Sequence, residues 1–401
     1  MRGCLSIAAA VVLLGAAAAR ALCPCANPAH CDPIVPRRAK EVFAYCVTCT
    51  DWRQYRWSAL TTLAVSDHYF TPWDDELVCY AHSVGVRVVL WTPQVMGGAG
   101  QNQVGDITNA TKRAEWVNFT MQRVAQWHLD GVNVDFEDKN TDASNAVSRA
   151  LTALMWELRV ALDRTMAPRG VRGQLSFDPV WSPVHSAERD YDYAALFNVV
   201  DYLVVMDYVD HQVWKPGPCV AGSDAKLPDV VTGLRQFLAL CNVTGGCAEK
   251  LVMGIAQSGF VIPCLPGTAP TATVCPIAPH PWRGANCTYL SGHEVPFMNL
   301  MAVVRQRGTY MPSWVRTTDI VVDTAVASAR FNFQDNVTGT VWQVWMENPA
   351  TGAQKWAVAA SMGLGGVMLW NLDWLNYTAA APDADDTAAW YDAIYSYTGP
   401  P

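Results

Sequence analysis

Residues 130–137 read Asp-Gly-Val-Asn-Val-Asp-Phe-Glu, and their spacing could do acid/base chemistry. In a β-strand, alternate residues point to opposite faces. Val132, Val134 and Phe136 then share an apolar face, while Asn133, Asp135 and Glu137 line the other in single file. Three polar side chains in a row are expensive to bury. Neighbouring carboxyls also push each other's pKa apart, so that one can keep its proton near neutrality. A Ca²⁺ loop is the competing reading, but the run lacks that loop's ligand spacing and central Gly. An exposed strand with a polar face would still have to cover Val132, Val134 and Phe136.

The elements that must position this strand are legible in the rest of the chain. Short β-branched runs at 42–47, 61–66, 86–91, 130–137, 173–178, 201–208, 250–256 and 365–371 alternate with helical patterns. The helical segments include 74–84, 112–128, 144–166, 228–241 and 350–362. This alternation predicts an α/β fold, a (β/α)₈ TIM barrel with its active site at the C-terminal ends of the strands. Glu137, Asp178, Tyr208 and Trp370 fall at such ends. Residues 257–364 interrupt the rhythm between strands seven and eight, which points to an insertion beside the cleft. With no internal repeat and no low-complexity linker, residues 22–401 are expected to form one domain.

Of the 401 residues, 51% are hydrophobic and 16% are charged, enough for a large core. The net charge of −8 argues against nucleic acid as a partner. The 17 Trp and 14 Tyr offer flat faces on which sugars stack. Arg2, the apolar run Leu5 to Ala19 and the small-x-small site Ala19-Arg20-Ala21 predict a signal peptide over residues 1–21. No later stretch is apolar enough to span a bilayer. Beyond Cys4, twelve cysteines remain, which in an oxidising compartment are expected to pair. Cys46-Val-Thr-Cys49 lacks a second C-x-x-C or a His pair, so it reads as structural rather than as a redox or zinc motif. Sequons at Asn109, Asn118, Asn242, Asn286, Asn336 and Asn376 suggest a glycosylated surface.

The octet resembles the signature of glycoside hydrolase family 18, Asp-x-x-Asp-x-Asp-x-Glu. Asp130, Asp135 and Glu137 match it, and Asn133 replaces the middle Asp. Further stretches, among them Ser176-Phe-Asp-Pro-Val-Trp-Ser-Pro183, Val204-Val-Met-Asp-Tyr208, Leu251-Val-Met-Gly254 and Leu369-Trp-Asn371, are similar to the chitobiase branch of that family, in which the middle acid is also Asn. The resemblance implies a retaining glycosidase that cleaves β-1,4-linked N-acetylglucosamine oligosaccharides, with the substrate's acetamido oxygen as nucleophile and no cofactor or metal. It implies that Glu137 is the acid/base, held protonated by its neighbouring carboxyl. Asp135 then orients the acetamide, Tyr208 binds its oxygen, and Trp370 lies under the sugar. Asn133, Asp178 and Met206 would contact the substrate, and Asp130 would be structural.

The family pattern on strand six, Met-x-Tyr-Asp, is here Met206-Asp-Tyr208-Val209, with Asp210 one position later. Asp210 shares the parity of Met206 and Tyr208 and would then face the cleft, with Asp207 facing outward. The aromatic pair expected after Gly254 is missing, and the third strand ends in Trp91-Thr-Pro-Gln. The implied protein is an exo-acting monomer of the lysosome or the extracellular space. A non-catalytic lectin of the same fold and an endochitinase remain open as alternatives.

Overall fold

The computed structural model describes residues 22–35, 40–66, 72–92, 107–184, 188–208, 218–241, 246–280, 287, 292–307, 310–378 and 380–399. Eight parallel strands close a barrel: β1 (Glu41–Cys46), β2 (Thr62–Val65), β3 (Arg87–Thr92), β4 (Gly131–Val134), β5 (Gln174–Phe177), β6 (Tyr202–Val205), β7 (Leu251–Ala256) and β14 (Gly366–Trp370). The chain order is also the spatial order, and β14 closes the ring by pairing with both β7 and β1. The alternation read from the sequence sorts the walls. Phe43, Tyr45, Val89, Trp91, Val204 and Met368 pack in the lumen. Val42, Leu63, Val88, Leu90, Val132, Val134 and Phe136 pack outward under the helices. Gly131 is obligatory at its place in the octet, because a Cβ there would lie 2.0 Å from the carbonyl oxygen of Gln174 on β5.

The helices between strands are α1 (Asp75–Ser83), α2 (Ala110–Gln126), α3 (Ala146–Met166), α4 (Tyr193–Val199) and α5 (Leu227–Leu240). After β7 the chain turns into an antiparallel sheet in the order β10–β12–β13–β8–β9, with β11 on β12. Its strands are β8 (Ser258–Pro263), β9 (His293–Pro296), β10 (Trp314–Arg316), β11 (Val321–Asp323), β12 (Ser328–Asp335) and β13 (Val341–Met346), with α6 (Phe297–Val304) between β9 and β10. Helices α7 (Pro349–Ser361), α8 (Asp383–Ala393) and α9 (Tyr395–Thr398) complete the described chain. Helix α4, at seven residues, is too short for a periodic signal, and the sequence reading missed it. Strand four is shorter than predicted, ending at Val134, although the Asp178 N–H still donates to the Val134 carbonyl at 3.0 Å and the Asp135 N–H to the Thr92 carbonyl at 3.4 Å. Phe136 and Glu137 then follow outside any strand. Strand six ends at Val205, with Met206 making one further bridge to Val180.

Six disulfides join the twelve cysteines: 23–31, 25–79, 46–49, 219–287, 241–247 and 264–275. Cys46 and Cys49 are bonded to each other and buried. The 25–79 bridge fastens the N-terminal segment to α1, and a buried network reinforces it below the barrel. Asp130, just before β4, accepts hydrogen bonds from the Ile34 N–H at 2.8 Å and the Val88 N–H at 2.7 Å. His82 on α1 lies 2.8 Å from Asp130 through Nε2 and 2.7 Å from the His30 carbonyl through Nδ1. With acceptors on both sides, both ring nitrogens must donate, which is the charged imidazolium. Burial alone would lower the His82 pKa, but Asp130 and the His30 carbonyl outweigh it and the net shift is upward. Its stabilising contribution is therefore complete below about pH 6.5 and is lost as pH rises through the folded-state value. Replacing His82 by Gln should lower the unfolding free energy at pH 5 by about 3 kcal/mol. Denaturant titrations at pH 5 and pH 9 should show the gap closing at the higher pH; an equal loss at both would contradict a charged His82.

Candidate active site

At the C-terminal end of the barrel, β4 delivers its lumen-facing residues to neighbours from β1, β3, β5 and β6. Asn133 is fully buried and donates from Nδ2 to Asp178 Oδ1 at 2.7 Å and to Ser176 Oγ at 2.9 Å. Tyr45, from the end of β1, sets its hydroxyl 2.9 Å from both Asp178 oxygens and 3.2 Å from Asn133 Oδ1. Asp135 stands one step above. Its Oδ2 accepts from Trp91 Nε1 at 3.2 Å, and its buried Oδ1 has no hydrogen-bond partner. Glu137 reaches the mouth, where 46% of its side chain is exposed and Arg189 Nη2 lies 2.7 Å from Oε2. Arg189 belongs to the β5–α4 loop, which pairs with Asn140 and so lies against the chain leaving β4. A cleft of about 210 Å³ is bounded by Tyr45, Asp135, Glu137, Asp178, Arg189, Met206, Tyr208, Glu294 and Trp370.

An aromatic cluster forms the floor. The Trp370 ring lies 5.2 Å from Tyr45 and 5.3 Å from Trp91, edge-on to both, with Trp374 at 6.1 Å. Asp373 holds this end together by accepting from the Val47 N–H at 2.8 Å and the Tyr55 hydroxyl at 2.9 Å. Burial in this aromatic surround shifts the protonation equilibria. Burial pushes Asp135 well above the carboxylate range, and the charges of Glu137 and Asp178 add to it, against Arg189 and Trp91. Asp178 is pushed up to about 8 by burial, despite hydrogen bonds from Asn133 and Tyr45. Burial likewise holds Tyr45 and Tyr208 well above their usual range, so both keep their protons. Glu294, on β9 of the inserted sheet, is raised to about 7 by burial, with Ser258 donating to it at 2.6 Å. The site can thus hold a proton on a carboxyl at neutral pH, beside hydroxyl donors and an ionisable group open to solvent.

Of the residues singled out from the sequence, Asn133, Asp135, Glu137, Asp178, Met206, Tyr208 and Trp370 converge here. Asp130 does not; it lies at the opposite end of the barrel, in the His82 network. Asp210 lies outside the described residues, as do sequons Asn242 and Asn286 and the predicted signal peptide. Asp207 turns away from the lumen toward Lys355 on α7 and is buried, not solvated. Asp135 is enclosed, whereas Glu137 sits at the rim. Tyr45, Trp91, Arg189 and Glu294 were missed. Tyr45 and Trp91 have lumen parity near the ends of predicted strands, which could have found them. Arg189 and Glu294 come from a loop and an insertion and carry no local signal.

The model of the family "Glycosyl hydrolases family 18" matches residues 94–374. The chain belongs to this family. As a family 18 glycoside hydrolase it is 34% identical over 373 residues to the di-N-acetylchitobiase of Rattus norvegicus, covering 93% of this chain and 92% of the relative. It is 30% identical to the di-N-acetylchitobiase of Homo sapiens over 93% of this chain and 88% of the relative. Its fold is similar to that of a family 18 chitinase from Cycas revoluta solved with (GlcNAc)₃. That match has a TM-score of 0.66 at 19% identity and covers 88% of this chain and 99% of the other. No helix among the described residues is long and apolar enough to cross a membrane.

Asp178 also yields a stability test. A carboxyl whose folded pKa is raised from 3.8 to about 8 stabilises the fold only while protonated. Stability therefore falls as pH rises from about 4 to about 8. Asp178→Asn should unfold about 3 °C or more above wild type at pH 8, with the difference vanishing near pH 4. Parallel melting curves over that range would disprove the buried acid.

Proposed function

We propose that this family 18 enzyme is a retaining glycosidase that hydrolyses β-1,4-linked N-acetylglucosamine oligosaccharides with the substrate's own acetamide as nucleophile. The observation that carries the reading is Asp135 Oδ1, a buried carboxyl oxygen with no partner, in a cleft that also holds the hydroxyl of Tyr208. An unsatisfied buried acceptor beside a donor fits an amide, whose N–H would go to Asp135 and whose oxygen would go to Tyr208. That pairing would turn the acetamide oxygen toward the anomeric carbon.

In this reading Glu137 gives its proton to the glycosidic oxygen as the bond breaks and the acetamide oxygen attacks. The resulting oxazolinium carries a positive charge, its N–H hydrogen-bonds Asp135 Oδ1, and Glu137 is left as a carboxylate. Glu137 then takes a proton from water, which opens the ring from the side the leaving group left, with net retention. Trp370 offers its face to the sugar. Asn133 and Tyr45 keep Asp178 hydrogen-bonded as the charge moves. The names of the two chitobiase relatives favour short chitooligosaccharides over polymeric chitin, and the six disulfides suit a secretory, lysosome-like or extracellular setting.

The test is incubation with di- and tri-N-acetylchitooligosaccharides at acidic pH. Glu137→Gln should lose turnover while still binding, and Asp135→Ala should lose at least about two orders of magnitude in kcat. Wild type that binds without turnover would make the protein a lectin. A Glu137→Gln variant as fast as wild type would remove Glu137 from its role.

A further inference from the structure

Far from the cleft, helices α2 and α3 leave an apolar trough on the outer wall of the barrel. Ala110, Ala114 and Val117 of α2 face Trp156, Val160 and Ala161 of α3 along it. The spacing is helical on both sides, so each set forms one continuous stripe. Small residues on α2 leave the groove deep, and the large ones on α3 stay uncovered: Trp156 is 47% exposed and Val160 44%. Beneath them the helices are tied by Arg113, whose guanidinium donates to Glu157 at 2.9 Å. Arg164 adds a charged group to the trough. A half-exposed Trp in an apolar channel marks a place built to be covered.

The residue that names the occupant is Asn118. It lines the same trough, it is exposed on α2, and it heads the sequon Asn118-Phe119-Thr120. Thr120 is buried in the folded protein, which is no obstacle to a modification made on the unfolded, emerging chain. The disulfide bonds put the chain through an oxidising compartment, where N-glycosylation also takes place. We infer that Asn118 carries an N-linked glycan whose innermost N-acetylglucosamine residues lie in the α2–α3 trough, against the face of Trp156. The sugar is covalently tethered, so its effective concentration at the groove is on the order of millimolar or higher, and a weak stacking contact is enough to seat it. The sugar's apolar C–H face covers Trp156 and Val160, and its hydroxyl and acetamide groups meet Glu157 and Arg164. This inference is independent of the reaction assigned to the cleft.

The experiment uses the full-length protein secreted from eukaryotic cells. Glycopeptide mass spectrometry should find Asn118 occupied. An endoglycosidase that leaves the first N-acetylglucosamine should leave the melting temperature unchanged, whereas Asn118→Gln should lower it by about 2 °C. Asn336→Gln, which removes an exposed sequon in the β12–β13 turn, serves as the control and should not shift it. Trp156→Ser should lower the melting temperature in the glycosylated protein and have no such effect in the Asn118→Gln background. An unoccupied Asn118 overturns the inference. So does a Trp156→Ser shift of the same size in both backgrounds, which would make Trp156 a packing residue only.

Discussion

Two buried carboxyls lie at the C-terminal end of the lumen, and the upper half of the barrel is arranged around them. Asp135 and Asp178 are buried among Tyr45, Trp91 and the strands of the lumen. An ionised carboxylate in such a place is costly unless it is paired. Among the groups around them, the hydrogen bonds come from neutral donors: the Asn133 amide, the Tyr45 hydroxyl and the Trp91 indole. The consequence is a proton held on the acids rather than a charge. Asn133 is central to this arrangement. An amide donates to Asp178 at every pH, whereas an Asp at that position would do so only when protonated, and would add a third acid to the lumen.

The octet has a structural end and a chemical end. Asp130, at its start, is fixed from three sides by Ile34, Val88 and His82, and so ties the N-terminal segment and α1 to the base of the barrel. At its finish Asp135 keeps one bond to the sheet, from its N–H to the Thr92 carbonyl at 3.4 Å, and Glu137 lies past the end of the strand. A short strand thus anchors one end rigidly and carries the reactive groups out of the wall into the cleft. Catalytic carboxyls of a barrel benefit from this, because their positions are set by the scaffold while their surroundings are set by loops. Arg189 from the β5–α4 loop and Glu294 from β9 of the inserted sheet supply such surroundings. The pairing with Asp130 also gives His82 a charge that favours folding in acid.

What the sequence by itself determined is whatever depends on local periodicity. Alternation decided which face of β4 is polar, and the spacing of β-branched runs decided the eight-stranded barrel. Strand ends decided that Asp135, Glu137, Asp178, Tyr208 and Trp370 would meet, because in a closed parallel barrel all C-terminal ends face one side. What only the tertiary structure decided depends on contacts between segments distant in the chain. The pairing of the cysteines, the partnership of His82 with Asp130, and the arrival of Arg189 and Glu294 at the cleft are of this kind. So is the difference in burial between Asp135 and Glu137, which lie two residues apart and are alike in chemistry. One lies under Trp91 within the lumen and the other at the open rim, and burial is a property of the assembled barrel rather than of any segment of it.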